Sequence, residues 1–211
     1  MTRDRLPPIP DAALTPAQRA AAEELTSGPR GKLAGPFVPL LRSPELMARV
    51  QKVGEYLRFE SALPDRIKEL AILVVARHWS QGYEWSFHLP LALKAGVTRE
   101  TAEAIAEGRG PAALVREEAA AYALLEQLLT TRQADDEVYA AALDAFGEAG
   151  VVDLVAFGGY YGLLAMVMNA ARTPAPIFPA DYPALVSAPL AFLVCWLASL
   201  ATQPRVKAAA A

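Results

Sequence analysis

The chain has 211 residues, of which 54% are hydrophobic and 20% are charged, enough for one sizeable core and one domain with or without appendages. The formal net charge is -3 and no dense block of lysine and arginine occurs, which argues against a nucleic-acid partner. The single cysteine, Cys195, excludes an intramolecular disulfide framework, a CxxC redox pair and a cysteine-rich zinc site.

The sequence predicts that residues 1–42 form an N-terminal arm, one helix and a loop. The first 13 residues hold charges and prolines without an apolar h-region, so they do not resemble a secretory signal and we expect a cytoplasmic protein. Thr15 followed by Pro16 is typical of a helix cap and first turn, and predicts a helix to about Leu25. The glycines and prolines of residues 27–42 predict a loop with apolar side chains against the core.

Residues 43–172 are predicted to form the main helical domain. A second pair of cap and proline, beginning at Ser43, predicts a helix to about Phe59. The stretch from Glu69 to His88 opens with an acid and six apolar residues without a turn residue, which is typical of a buried helix rather than a strand. After a polar break, Gly82 can start a second central helix.

Four further helices are predicted beyond this central pair. Gly96 is expected to end the second central helix, and Thr98 can cap the helix that follows. The predicted spans are Thr98 to Ala106, Pro111 to about Leu129, Asp135 or Asp136 to Phe146, and 150–171. Because no convincing run of period two lies between turn signals, the predicted fold class is all-α, with about eight helices.

Residues 173–211 differ from the rest and are predicted to form a proline-rich linker and an apolar C-terminal helix. Residues 184–201 carry no charge and reach the threshold length of a membrane span. Pro189 interrupts this segment, so the sequence favours a helix packed against this subunit or a partner subunit over a membrane contact.

Three groups that can carry protons are concentrated on the two central helices. Glu84 and His88 are four residues apart on one helix face and can form a carboxylate–imidazole pair suited to acid–base catalysis. The same spacing is also found in pairs that only stabilise a surface helix. Glu69 precedes apolar residues, and if it is buried it needs a partner, for which Arg66 or Arg77 could serve in a purely structural ion pair.

Other chemistries fit the sequence less well. His78 lies on the opposite helix face from Glu69 and is expected at the surface or at the edge of the core. The three central groups could bind a divalent ion, but HExxH-type spacing is absent, and we assign no metal ligand. No GxSxG elbow occurs, and the glycines of residues 158–162 lie in a helical pattern without a preceding strand, which argues against a dinucleotide site. Tyr160 and Tyr161, within that pattern, can line a cavity or an interface.

The segments ELAILVVARHW, YEWSFH and ALKAG resemble the carboxymuconolactone decarboxylase family, which includes the alkylhydroperoxidase D-like proteins. The resemblance runs from Arg66 to about Gly108, with looser similarity from Phe37 to Ala171. It implies an all-α subunit of the alkylhydroperoxidase D-like type that assembles with itself, as a trimer or hexamer, and binds a small-molecule substrate.

The redox cysteines of the peroxidase branch are missing here. In that branch a glutamate precedes a CxxC pair, and a histidine follows four residues after the second cysteine. Glu69 and His88 stand at the matching glutamate and histidine positions, whereas the cysteine positions fall on Gln81 and Glu84. Because a thiol–disulfide cycle needs two thiolates, peroxidase activity of this kind is not expected.

The resemblance instead implies a decarboxylase-like lyase without a cofactor, acting on a small organic acid or lactone, as in the catabolism of aromatic compounds. His88 would be the acid or base, Glu84 its partner or a proton shuttle, and Glu69 a buried carboxylate that orients it. The residues expected to contact the substrate are Gln81, Trp85, Arg77 and Tyr161. The alternatives left open are a non-catalytic helical oligomer or binding module and a metal-dependent enzyme.

Overall fold

The computed structural model describes residues 4–172 of the chain. Over this range it contains eight α-helices and one short 3-10 helix, and none of these residues lies in a strand. The all-α prediction is therefore confirmed for the described residues. The predictions for residues 173–211 lie outside them.

Most of the predicted helix boundaries are confirmed. The helices are α1 (Pro16–Ser27), α2 (Phe37–Leu40), α3 (Pro44–Phe59), α4 (Asp65–His78), α5 (Gly82–Ala95), α6 (Arg99–Ala106), α7 (Arg116–Thr130) and α8 (Asp136–Ala171). Thr15 caps α1 by accepting a hydrogen bond from the Gln18 N–H, and Thr98 caps α6 in the same way from Thr101. Gly96 ends α5 with a φ of 102°, a left-handed conformation that glycine adopts without steric strain.

Two sequence predictions about the helices need correction. The predicted loop of residues 27–42 contains the short helix α2. α7 begins at Arg116 and not at Pro111, because the Glu118 carboxylate accepts a hydrogen bond from the Val115 N–H at 3.2 Å and caps the helix there. The two helices expected on either side of Gly147 are confirmed: they are separated by a kink at Gly147, whose φ of 68° is not helical, and together they make up the element α8.

α4 is the centre of the fold. Its contacts reach α5, α6, α7 and α8. Leu70, Ile72 and Leu73 are fully buried, and burying side chains of this size stabilises a fold by about 1.5–3 kcal/mol each. Because α5 packs along α4, the two helices hold the acids and the histidine of the central segment in fixed relation.

α8 is long and apolar enough to cross a membrane, with a mean hydropathy of 1.7 over its most apolar 18-residue window. Half of that window is buried inside the protein. Leu154, Phe157 and Tyr161 on its inner face are buried, and the helix packs on α4 and α7. Such packing is typical of a core helix.

Candidate active site

His88 lies between two carboxylates that approach it from two helices. Its Nδ1 is 2.7 Å from Glu69 Oε2 on α4, and its Nε2 is 3.4 Å from Glu84 Oε2, one turn earlier on α5. The imidazole is buried, with only 2% of the residue exposed, and Glu84 is 3% exposed. The structure thus brings together the three proton-carrying groups that the sequence singled out.

The start of α5 is fixed by Gln81, the cap residue of the helix. Gln81 Oε1 accepts a hydrogen bond from the Tyr83 N–H at 2.8 Å, and Gln81 Nε2 donates to Asn169 Oδ1 on α8 at 2.7 Å. Glu84 therefore lies in the first helical turn, where the positive end of the helix dipole stabilises a carboxylate.

The pKa of His88 is raised above its ordinary value by its surroundings. Burial on its own lowers the pKa, because it disfavours the charged imidazolium. The hydrogen bond with Glu69, the close approach of Glu84 and the negative charges of both carboxylates raise the pKa by more than burial lowers it. These surroundings therefore favour the protonated form of His88 near neutral pH.

A cavity of about 230 Å³ opens beside this group. Aromatic and cationic side chains make up much of its wall. It is lined from α5 by Tyr83, Glu84, Phe87 and His88, from α8 by Tyr161 and Leu164, from α3 by Arg58 and Phe59, and from residues 29–37 by Pro29, Arg30, Lys32, Ala34, Pro36 and Phe37. The Tyr161 ring meets the His88 ring edge to face at 5.3 Å, and burial, followed by the Glu84 charge, raises the Tyr161 pKa well above its usual value. Tyr161 is therefore a neutral phenol.

Three cations in the cavity wall were missed by the sequence reasoning. Arg30 and Lys32 come from the loop before α2, and Arg58 comes from the last turn of α3. Among the described residues, none of the three has a carboxylate within ion-pair distance. The sequence shows two of these cations close together in the run Arg30-Gly31-Lys32. It does not show that the loop carrying them packs beside His88.

Other residues expected to contact the substrate lie elsewhere. Arg77 donates a hydrogen bond from Nε to the Ala106 carbonyl at 2.8 Å and lines a separate cavity, together with His78. Trp85 is fully buried and Gln81 is 4% exposed, and neither lines the cavity beside His88. Of the four expected contacts, only Tyr161 reaches that cavity, because the other three side chains are used in helix packing and in holding helix ends.

The two carboxylates face different spaces. Glu84 lines the cavity beside His88, and its buried Oε1 accepts no hydrogen bond from any described residue. Glu69, with 13% of its side chain exposed, lines a second cavity of about 340 Å³. His88 thus links a carboxylate in one cavity to a carboxylate in the next.

The geometry around His88 differs from that of a metal centre. Each ring nitrogen already faces a carboxylate oxygen, so the two carboxylates lie on opposite sides of the ring instead of converging on one point. Within residues 4–172, no group of three or more histidine, cysteine, aspartate or glutamate side chains has an arrangement that could hold a metal ion.

The model of the Carboxymuconolactone decarboxylase family matches residues 44–127, which span α3 to most of α7 and include all three proton-carrying residues. No curated protein and no solved structure matches the chain.

Proposed function

We propose that the chain, which carries a domain of the Carboxymuconolactone decarboxylase family over residues 44–127, is an enzyme that transfers a proton to carbon in a small organic acid or lactone. One observation carries the proposal: a buried histidine is held between two carboxylates and also lines a cavity. Decarboxylation is the reaction of this kind that we favour, because it ends in such a proton transfer.

The chemistry can proceed with the side chains of this chain. The bond between the substrate carbon and its carboxylate breaks, CO2 leaves, and the electron pair moves into the adjacent carbonyl to give an enolate. Because its pKa is raised, His88 is the acid that carries a proton when the enolate forms. The proton then passes to carbon, His88 becomes neutral, and solvent restores its proton.

The two carboxylates have different tasks in this proposal. Glu69 holds the ring orientation through Nδ1, at the short distance of 2.7 Å. Glu84 acts as the proton shuttle, since its Oε2 faces His88 Nε2 and the residue also lines the cavity. The nearby cations offset the negative charge of the substrate and of the enolate.

A turnover screen with matched histidine variants tests the proposal. Carboxylated lactones and dienoic acids are offered to the wild type, His88→Ala and His78→Ala, each with and without chelator. His78 is the only other histidine of the chain and is exposed on α4, so it is a suitable control. We expect turnover that survives chelator and His78→Ala but falls by about 100-fold or more in His88→Ala. Equal turnover in both variants would contradict the assignment of His88, and loss on chelation would favour a metal-dependent enzyme.

A further inference from the structure

We propose that Arg30 is the anchor that binds the carboxylate of the ligand in the cavity beside His88, and that Tyr160 is the positioning residue that holds Arg30 there. The inference rests on the proposed function for the identity of this cavity as the substrate site. It adds a specificity determinant outside residues 44–127, in a loop that precedes the matched domain.

Arg30 is held in place by two contacts and by the space that a glycine leaves. Its Nη2 donates a hydrogen bond to the Tyr160 hydroxyl at 3.1 Å, and its guanidinium carbon lies 4.7 Å from the centre of the Phe37 ring. Gly54 on α3 makes this arrangement possible, because a Cβ at that position would overlap both the Tyr160 hydroxyl and the guanidinium. The chain therefore fixes a guanidinium at the wall of the cavity instead of leaving it free in solvent.

This guanidinium has no counter-ion among the described residues. No carboxylate of residues 4–172 lies within ion-pair distance of it, and its Nε is buried without a hydrogen-bond partner in that range. Tyr160 does not neutralise it, because burial raises the Tyr160 pKa to about 12 and the hydroxyl stays protonated near neutral pH. A partly desolvated cation without a partner is unfavourable, and a bound carboxylate would supply the missing charge and acceptors.

The rest of the wall narrows the ligand class. Lys32 and Arg58 add two further cations, whereas Glu84 is the only carboxylate among the described lining residues. The aromatic rings favour a flat ligand, and about 230 Å³ lies below the roughly 300–1,000 Å³ of drug-sized sites. These features point to a small, flat carboxylate whose anionic end meets Arg30 and whose reacting carbon lies toward His88.

Binding of benzoate, measured by calorimetry without turnover, tests the anchor on the full chain. Benzyl alcohol is the uncharged probe of the same shape. We expect the wild type to bind benzoate more tightly than benzyl alcohol. Arg30→Ala should lower the affinity for benzoate by about 10- to 100-fold, as for a lost hydrogen bond to a charged group, and should leave the affinity for benzyl alcohol unchanged. Tyr160→Phe should weaken benzoate binding less, and Arg49→Ala, which changes an exposed arginine, should not weaken it.

Further variants separate the anchor from the catalytic proposal. Arg30→Lys keeps the charge but not the planar fork and should restore part of the affinity, and added guanidinium should partly rescue Arg30→Ala. Because the binding of benzoate is measured without turnover, failure of the proton-transfer proposal would leave this result standing. A folded Arg30→Ala that binds benzoate as the wild type does would overturn the anchor, as would a wild type that prefers benzyl alcohol.

Discussion

Replacing Glu69 with glutamine tests the electrostatic core of the site with little change in shape. The substitution removes the negative charge that faces His88 Nδ1 at 2.7 Å and leaves Glu84 in place. Glutamine is nearly isosteric, so the packing of α4 against α5 should persist and the effect should come mainly from the lost charge.

The size of the effect follows from the geometry and the burial of the pair. The side chains of His88 and Glu69 are only 3% and 13% exposed. Their interaction should therefore stabilise the fold by about 1.5–3 kcal/mol, which is usual for a hydrogen bond to a charged group. The ion pair of Glu45 and Arg49 should stabilise the fold much less, because these side chains are 83% and 73% exposed. We expect Glu69→Gln to lower the free energy of unfolding by about 1.5–3 kcal/mol near pH 6.

The direction in which the unfolding free energy changes with pH follows from the direction of the His88 pKa shift. The pKa of His88 is raised in the folded state, so its protonation stabilises the fold below the unfolded pKa of about 6.5. That stabilisation is lost as pH rises through the raised folded pKa. The difference in unfolding free energy between wild type and Glu69→Gln should therefore shrink toward about pH 9.

Urea unfolding followed by circular dichroism, repeated across this pH range, measures the difference directly. Glu45→Gln is the control, and its small effect should not follow the same pH dependence. NMR titration of the two histidines would then show a lower pKa for His88 in Glu69→Gln, with the His78 signals as internal reference. A loss of stability that is the same at both ends of the pH range would refute the reasoning.

Four other changes probe the surroundings of the site. Gly35→Ala should destabilise the fold by at least about 1–2 kcal/mol in urea unfolding, because Gly35 has a left-handed φ of 58° and a Cβ there would overlap the Tyr83 ring; full stability would contradict this. Gln81→Ala should lower the unfolding free energy by about 1 kcal/mol through loss of the α5 cap, and no change would argue against that role. Cys195→Ser should leave turnover unchanged, and lost turnover would reopen thiol chemistry. The expected trimer or hexamer should appear in sedimentation analysis and weaken in Val152→Asp, which changes an apolar residue that is 65% exposed in one subunit; a monomeric wild type would contradict the expectation.

Local signals in the sequence were sufficient for most of the fold. Thr15 and Thr98 act as helix caps and Gly96 as a helix end because these roles depend on a few neighbouring residues. The start of α7 was misplaced because Pro111 is also a common loop residue, whereas the deciding contact is the Glu118 cap. The helical period likewise puts Glu84 and His88 on one face, and the structure brings Glu69 to the same histidine.

The cavity wall could not be predicted in the same way. Arg30 reaches it through a loop that packs on α8, and its contact with Tyr160 joins residues 130 positions apart. No periodic pattern encodes such a contact, so Arg77 was the only cation among the residues expected to contact the substrate. The structure places Arg77 at the Ala106 carbonyl, away from His88.

Deuterium transfer from solvent to substrate carbon tests the central claim most directly. Small organic acids and lactones are incubated in D2O with wild type, His78→Ala and His88→Ala, and NMR follows deuterium at the carbon next to the carbonyl. The account predicts that wild type and His78→Ala introduce deuterium at equal rates and that His88→Ala does not. Deuterium incorporation by His88→Ala at the rate of the wild type would contradict proton transfer through His88.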